Sequence, residues 1–307
     1  MDGGSDRCRT DRRNSEYRIP NIDTEYRTPK KKFPDSPPCV FLILYSVSRM
    51  KFPPFHWWRT VFYLIPLISI YTIVLGTLSI ASSLFERDGH FGHWCARTWS
   101  KLILITTGVR VHSTGLDRLE PARTYVFVSN HQSIYDIPIL FASLPFQLRI
   151  IAKESLGRFP FLGWHLRRTG HLLVDRHDPD HHAILARWKG LVSRGLSLIV
   201  FPEGTRSGDG RVGRFRAGSF LLALEAGLPI VPISVSGSRQ VMRKGRLTTC
   251  PGDVALTVHL PVDAPSLGTP TVREARALAA RTRAMIQPFA EQETQAVLAA
   301  RRTGLSA

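Results

Sequence analysis

A histidine and an aspartate stand five positions apart where a short apolar run ends, in the stretch TYVFVSNHQSIYD (residues 124–136). A carboxylate that holds one imidazole nitrogen leaves the other nitrogen free to accept a proton, which is how positioned histidine bases work. Within one continuous helix, side chains five positions apart lie about 140° apart around the axis and cannot meet. His131 and Asp136 can therefore pair only if His131 lies in the turn before a helix, and Pro138 favours a helix start at this point.

The spacing alone does not distinguish a catalytic pair from an ordinary corner between a strand and a helix. The same spacing recurs at His112 and Asp117, where His112 alternates with two valines as a strand residue does and Gly115 indicates a turn. That second occurrence favours a structural role. At the first pair a structural alternative is equally weighted, because Ser133 could cap the helix with Asp136 as its return partner.

A polar loop follows another apolar run further along the chain, in LSLIVFPEGTRSGDGRVGRFRAGSF (residues 196–220). Gly204 lets the backbone approach a ligand closely, and Thr205 offers a hydroxyl. Arg206 carries a planar fork of donors that matches the oxygens of a phosphate. Because α/β domains bind ligands at the ends of their strands, this loop predicts an anion-binding site. A glycine-rich surface turn is the alternative.

Short apolar runs alternate with helical stretches after Gly108, which predicts an α/β fold with a mixed sheet flanked by helices. The predicted strands are Tyr125–Ser129, Leu148–Ala152, His171–Val174, Ser197–Phe201, Ile230–Ser234 and Val254–Leu260. The predicted helices are Ser133–Ser143, Pro179–Arg194, Phe215–Ala226 and Thr271–Leu298. The last of these begins with a capping box at Thr271 and Glu274. Its interleaved arginines and alanines indicate a solvated outer face.

These patterns divide the chain into four parts. Residues 1–49 are polar, charged and interrupted by prolines, so we expect a disordered tail or a mis-assigned start. Residues 50–107 are expected to be a membrane-anchoring helical segment that precedes the α/β domain. That domain is predicted to occupy residues 108–270, and residues 271–307 are predicted to form a C-terminal helix.

The membrane prediction depends on an uncharged run of 24 residues, Val61–Leu84, which exceeds the ~20 residues that a helix needs to cross a bilayer. Trp57 and Trp58 precede it, where indole rings favour the interface. A buried core helix is the alternative. Basic residues on both sides leave the orientation open, and a helix that enters the membrane and returns fits two cytoplasmic flanks. We expect the inner (cytoplasmic) membrane, with the active site facing the cytoplasm.

The formal net charge of +17 indicates an anionic partner such as lipid headgroups, a phosphorylated substrate or nucleic acid. Nucleic acid is not expected, because no basic stripe with interleaved aromatic residues is present. The four cysteines are scattered, so we expect reduced thiols and no metal site. In DRHDPDHH, Pro179 favours a helix-start loop over metal binding by His177 and His181. A serine hydrolase built on Ser129 or Ser133 would need a G-x-S-x-G elbow, which the sequence lacks.

The two polar segments, NHQSIYD and FPEGTRS, together resemble those of the lysophosphatidic acid acyltransferases (1-acylglycerol-3-phosphate acyltransferases) of the glycerolipid acyltransferase superfamily. The stretch AKESLGRFPFLGWHLRRTGHLLVDR (152–176) is similar to the second sequence block of that family, and GLPIVPISVSG (227–237) to the fourth. Four blocks in the same order make the resemblance specific. It covers about residues 108–240, and it implies the family fold and a fatty acyl transfer activity.

The resemblance also implies roles for individual residues. His131 would be the general base that takes the proton of the acceptor hydroxyl, and Asp136 would orient it. The phosphate-side loop and the electropositive second block would supply the substrate-binding residues Glu203, Gly204, Thr205, Arg206, Lys153 and Arg176, with Arg206 on the phosphate. The implied acyl donor is acyl-CoA or acyl-ACP as a cosubstrate, without a metal or another cofactor, because a thioester is already an activated acyl group.

The expected reaction is the transfer of a fatty acyl group to the sn-2 hydroxyl of lysophosphatidic acid, which gives phosphatidic acid. The expected partners are membrane lipid, the acyl thioester, a lysophospholipid acceptor and an acyl carrier protein if that is the donor. Glycerol 3-phosphate, another lysophospholipid or a lyso-aminolipid are alternative acceptors. A non-catalytic lipid-binding protein of the same fold is the alternative from a different functional class.

Overall fold

The computed structural model describes residues 55–86, 89–174, 181–263 and 269–302. Its strands are β1 (Val109–Thr114), β2 (Val126–Ser129), β3 (Leu148–Lys153), β4 (Leu172–Val174), β5 (Ser197–Val200), β6 (Ile230–Ser236) and β7 (Gly252–Val258). They form one sheet in the order β1-β7-β6-β2-β5-β3-β4. Strands β6 and β7 are antiparallel and the other neighbouring pairs are parallel, so the predicted mixed sheet is confirmed. The tail 1–49 and Arg176 lie outside the described residues.

The helices mostly alternate with the strands along the chain. They are α1 (Phe55–Ser82), α2 (His90–Thr107), α3 (Asp136–Ser143), α4 (Leu162–Arg168), α5 (His181–Val192), α6 (Gly218–Glu225), α7 (Ser238–Val241) and α8 (Val272–Arg302). Helix α1 contains a π-helical stretch at Thr60–Leu64, and short 3-10 helices lie at Leu116–Arg118 and Glu154–Arg158. Each predicted helix is present, but two begin three residues later than predicted: α3 at Asp136 rather than Ser133, and α6 at Gly218 rather than Phe215.

Helices cover both faces of the sheet, as a largely parallel sheet requires. Phe127 of β2 shares one buried cluster with Ile139 of α3. Its neighbour Val128 points to the opposite face and shares a second cluster with Phe220 of α6 and Ala279 of α8. The central strands β2, β5 and β6 are buried along their whole length, and they carry the segments that form the site.

Helix α1 lies against α2 on one side and leaves its other side uncovered. Arg59 donates to the carbonyl oxygen of Thr107, and the Trp99 indole donates to the hydroxyl of Thr72. Only 6% of the most apolar stretch of α1 is buried, which is not the exposure of a core helix. By length and composition, this helix could cross a membrane.

Helix α8 begins with the predicted capping box. The Thr271 amide donates to Glu274 Oε2, and the Glu274 amide donates to Thr271 Oγ1. The expectation of a solvated face holds for Arg276, which is exposed, but it covers only part of the helix. Ala275 and Ile286 are fully buried against the sheet, so α8 is also a core element.

Candidate active site

The end of β2 and the start of α3 bring His131 and Asp136 together. Residues 130–135 connect β2 to α3 and let the chain fold back, so that the imidazole Nδ1 of His131 lies 2.8 Å from Asp136 Oδ2. The carboxylate is fully buried, while the histidine side chain remains 14% exposed. Because a carboxylate only accepts, Nδ1 is the donor, and Nε2 is the nitrogen that can accept a proton from a substrate.

The same carboxylate oxygen also shapes the corner. Asp136 Oδ2 accepts hydrogen bonds from the backbone amides of Gln132, at 2.7 Å, and Ser133, at 2.9 Å. The same carboxylate therefore pairs with His131 and holds the backbone just before α3, so the catalytic and the structural interpretations of this corner are compatible. The Ser133 hydroxyl donates to the carbonyl oxygen of Met242, so it is directed away from the imidazole.

Side chains around the corner hold it against the sheet. The ring of Phe201, which follows β5, stacks on the His131 imidazole with centroids 4.2 Å apart. The buried Asn130 side chain donates from Nδ2 to the backbone carbonyl oxygen of Val235 in β6, and its Oδ1 accepts the backbone amide of the same residue. Gln132 donates to the carbonyl oxygen of Gly210. These contacts fix the histidine from three sides, and sequence reasoning missed them because each joins distant parts of the chain.

Glu203 connects the histidine to the loop after β5. Its Oε1 accepts the His131 backbone amide at 2.8 Å, and its Oε2 accepts the Gly213 amide at 2.9 Å. Burial raises the pKa of this carboxyl, and the two amide donors oppose that rise. Glu203 was expected among the substrate-binding residues, and in the structure both of its carboxylate oxygens accept backbone amides.

The rest of the PEGTRS loop (residues 202–207) is hydrogen-bonded to the same corner. The Ser207 amide donates to the carbonyl oxygen of His131 at 2.8 Å. Lys244, which the sequence analysis did not single out, donates from Nζ to Thr205 Oγ1 and to the carbonyl oxygen of Arg206. Gly204 has a φ of 72°, and a Cβ there would lie 3.3 Å from the Arg216 guanidinium. The loop is therefore a supported structure and not an isolated glycine-rich turn.

A basic cavity of about 830 Å³ opens on this loop. Six cationic side chains line it, from Arg206, Arg211, Arg214, Arg216, Lys244 and Arg276. Two carboxylates also contribute to its wall, those of Glu203 and Asp209. The Arg211 backbone amide bonds Asp209 and lowers the pKa of that carboxyl, so Asp209 stays ionised. The excess of cations fits the predicted anion site.

Helix α8 supports the far side of the loop. Arg283 donates to the carbonyl oxygens of Val212 and Gly213, both at 2.8 Å. Glu291 Oε1 accepts the Val212 amide at 2.7 Å. Arg283 and Glu291 are eight positions apart and so lie on one face of the helix. That spacing was the available sequence signal, but it did not reveal which loop the two side chains would meet.

A second cavity, of about 170 Å³, is almost entirely apolar. It lies between α1, α2, α3, α4 and β3, beside the helix that begins at Asp136. Its walls include Leu75, Gly76, Trp99, Ile134, Ile137, Pro138, Ile150 and Phe161. Lys153, the last residue of β3, is exposed and lines neither cavity.

The second histidine–aspartate spacing has a different geometry. His112 lies within β1, and its Nε2 meets Asp253 Oδ1 of β7 at 2.9 Å. Its side chain is 67% exposed, and Arg110 pairs with the same carboxylate. Hydrogen bonding from Arg110 and His112 lowers the pKa of Asp253 to about 2. The structural interpretation of this occurrence is confirmed.

Within the described ranges, no three His, Cys, Asp or Glu side chains are grouped so that they could hold a metal ion. Of the two histidines considered above as metal ligands, His177 and His181, the first lies outside those ranges.

Comparisons with known proteins agree on the type of domain. A family model described as Acyltransferase matches residues 110–236. The 1-acyl-sn-glycerol-3-phosphate acyltransferase of Pseudomonas aeruginosa is 32% identical over 248 residues, which cover 76% of this chain and 93% of that protein. The chloroplastic 1-acyl-sn-glycerol-3-phosphate acyltransferase BAT2 of Brassica napus is 37% identical over 183 residues. This chain spans about half the length of the chloroplastic relatives, since the match covers 53% of BAT2.

A solved structure extends the similarity to the fold. The crystal structure of PlsC, the 1-acyl-sn-glycerophosphate (LPA) acyltransferase from Thermotoga maritima, matches with a TM-score of 0.60 and 28% sequence identity. The match covers 74% of this chain and 95% of that chain. It therefore extends well beyond residues 110–236, which the family model matches.

Proposed function

The chain belongs to the 1-acyl-sn-glycerol-3-phosphate acyltransferase family, and from this premise we propose that it acylates the sn-2 hydroxyl of lysophosphatidic acid. The product would be phosphatidic acid, and the donor a fatty acyl thioester. The observation that carries the proposal is the bond between His131 Nδ1 and Asp136 Oδ2, in a corner that also bonds the anion-binding loop. An acyltransferase needs this combination of a base and a site for the acceptor phosphate.

In the proposed mechanism, His131 Nε2 accepts the proton of the acceptor hydroxyl as the hydroxyl oxygen attacks the thioester carbonyl carbon. The buried carboxylate of Asp136 fixes the imidazole orientation and stabilises its protonated form. The tetrahedral adduct then collapses, the carbon–sulfur bond breaks, and the leaving thiolate takes the proton from the imidazolium. No acyl-enzyme forms, since the acceptor oxygen attacks the donor directly. A thioester is reactive enough for a positioned base to suffice.

We assign the acceptor phosphate to the loop that carries Arg206. The Ser207 amide donates to the backbone carbonyl oxygen of His131, and this contact brings Arg206, the residue before Ser207, near the base. Arg206 lines the basic cavity, and its guanidinium can make two parallel bonds to phosphate oxygens. Glu203 would act by holding the backbone amides of His131 and Gly213 in fixed positions relative to each other. Lys153 and Arg176 remain proposals as electropositive support.

The acyl chain and the membrane complete the proposal. The apolar cavity lies beside α3, next to Ile137 and Pro138, and would take the fatty acyl chain that the thioester delivers. The apolar helix α1 and its exposed aromatic residues would bring the enzyme to its lipid substrate. Association with the cytoplasmic membrane, with the site on the cytoplasmic side, fits a donor that is made in the cytoplasm.

The test uses detergent-purified protein. Because His112 shares the histidine–aspartate spacing of His131 but not its geometry, a His112 variant serves as the control. Wild type, His131→Ala and His112→Ala are each supplied with oleoyl-CoA or oleoyl-ACP, and products are identified by mass spectrometry. The acceptors are lysophosphatidic acid, glycerol 3-phosphate and lysophosphatidylcholine. We expect phosphatidic acid from wild type, an equal rate from His112→Ala, and a loss of about 10²- to 10⁴-fold in His131→Ala, which is the usual contribution of a general base.

Product from a different acceptor would keep the mechanism and change the substrate. No product from any acceptor with either donor would contradict the enzymatic proposal and leave a lipid-binding protein. Equal losses in the two histidine variants would show that the assay reports stability and not the base.

A further inference from the structure

Lys244 lies in the segment between β6 and β7 and reaches the PEGTRS loop. Its Nζ donates to Thr205 Oγ1 and to the carbonyl oxygen of Arg206, both at 3.0 Å. The family model ends at residue 236, so this lysine is not among the residues that it matches. We propose that Lys244 binds the acceptor phosphate beside Arg206 and makes the enzyme select an acceptor with a phosphate monoester. This inference rests on the proposed acylation of lysophosphatidic acid.

The protein uses only part of the hydrogen-bonding capacity of Lys244. An ammonium group has three N–H donors and no acceptor. Two of these donors bond Thr205 and Arg206, and no third bond from Nζ is made to the described residues. Lys244 is exposed and lines the basic cavity, so its third donor can bond a ligand there. The two bonds to the loop hold the positive charge in one place, whereas the ammonium of an ordinary surface lysine moves freely.

The segment that carries Lys244 is also bonded to the catalytic corner. Two residues before the lysine, the carbonyl oxygen of Met242 accepts the Ser133 hydroxyl. On the PEGTRS loop, the Ser207 amide donates to the carbonyl oxygen of His131. Both proposed phosphate-binding cations therefore lie within two residues of a hydrogen bond to the corner. In lysophosphatidic acid only two carbons and one oxygen separate the reacting hydroxyl from phosphorus, so its phosphate must lie close to the same corner.

Two neighbouring cations match the charge and the oxygens of a phosphate monoester. A monoester carries a charge of about −1.5 to −2 at neutral pH and has three acceptor oxygens. A diester, such as that of lysophosphatidylcholine, has one negative charge and one acceptor oxygen fewer. The fork of Arg206 can bond two of the oxygens, and Lys244 can bond the third as a point charge. Loss of Lys244 should therefore weaken the binding of a monoester more than that of a diester.

The same segment offers a matched control variant. Arg246 is exposed and lies two residues from Lys244, but it is not among the described residues that line the basic cavity. Lys244→Met and Arg246→Met each remove one positive charge from this segment, so a change in the overall field affects both variants equally. Lys244→Arg keeps the charge and tests whether a cation at this position is sufficient.

Steady-state rates would be measured with 1-oleoyl lysophosphatidic acid and with its phosphate methyl ester, a diester that keeps the same chain and sn-2 hydroxyl. We expect Lys244→Met to lower kcat/KM for lysophosphatidic acid about tenfold, mainly through KM, because a charged hydrogen bond is lost. The value for the methyl ester should stay nearly unchanged. Lys244→Arg should recover most of the loss, and Arg246→Met should match wild type with both acceptors. Equal losses with the two acceptors would mean that Lys244 only supports the loop, and would overturn the inference.

A binding measurement separates this inference from the proposed reaction. The 2-deoxy analogue of lysophosphatidic acid lacks the reacting hydroxyl, and its methyl ester is the matched diester. Each would be titrated into the detergent-held protein by calorimetry at about pH 8, where the monoester is a dianion. Wild type and Arg246→Met should prefer the monoester, and Lys244→Met should lose about tenfold of that preference.

The two failures give different results. A preference that is absent in wild type or unchanged in Lys244→Met would refute the role of Lys244, even where wild type forms phosphatidic acid. The expected binding in a protein that acylates no acceptor would support the phosphate site and contradict the proposed function.

Discussion

The chain contains the same histidine–aspartate spacing twice, and the two copies fold into different structures. His131 and Asp136 bracket the corner between β2 and α3, where the imidazole meets a fully buried carboxylate. His112 lies inside β1, and its ring contacts Asp253 of the neighbouring strand instead of Asp117. The difference shows that the spacing acquires chemical meaning only where the chain reverses between the two residues.

The surroundings of the two histidines differ as much as their partners. The backbone of His131 is bonded on one side by Glu203 and on the other by Ser207, and Phe201 covers one face of its ring. The side chain of His112 is 67% exposed, on a strand at the edge of the sheet. A base must be held in one orientation to accept a proton efficiently, and only the first histidine is held in that way.

After the His131→Ala and His112→Ala pair, the largest effect that would test this comparison is expected from the aspartates. Asp136→Asn should lower kcat about 10²- to 10³-fold, because an amide can donate to Nδ1 and so reverse the tautomer that leaves Nε2 as the acceptor. Asp117→Asn should leave kcat unchanged, since Asp117 is exposed and does not contact His112. Steady-state rates of phosphatidic acid formation would measure both. A normal rate in Asp136→Asn would remove the basis for a catalytic pair.

Much of the fold follows from short-range sequence patterns. The apolar runs at β2 and β5 are buried on both faces, and they were found because nothing charged interrupts them. The capping box at Thr271 and Glu274 fixed the start of α8. The start of α3 was misplaced because Ser133 fits a cap, whereas the Asp136 carboxylate holds that stretch of backbone in a turn instead.

The support of the site could not be predicted in the same way. Lys244 reaches Thr205, 39 positions away, and Arg283 reaches Val212, 71 positions away. Such contacts depend on the order of the strands and on the packing of α8 across the sheet, which no local pattern encodes. Glu203 was assigned to substrate binding by the family resemblance, and its two backbone partners, which come from different segments, could not be predicted from the sequence.

A smaller effect is expected where the loop meets the histidine. Glu203→Gln keeps the size of the side chain but replaces one acceptor oxygen with an NH₂ group, which cannot accept the amide of His131 or Gly213. The resulting shift of the corner should lower kcat about 10- to 100-fold and leave KM for the acyl donor nearly unchanged. Single-turnover kinetics would separate the two parameters. An increase in KM for lysophosphatidic acid at unchanged kcat would instead show that Glu203 acts on the acceptor.

The smallest effect on kcat is expected from Arg283 of α8. This residue supports His131 only indirectly, through the loop that Glu203 connects to it. Arg283→Ala removes two hydrogen bonds to the carbonyl oxygens of Val212 and Gly213, next to the amide that bonds Glu203. We expect kcat to fall about three- to tenfold, partly restored in Arg283→Lys, and Arg281→Ala to match wild type. Thermal unfolding midpoints recorded beside the rates would separate positioning from stability. Rates that fell only in step with the folded fraction would mean that α8 supports the fold and not the base.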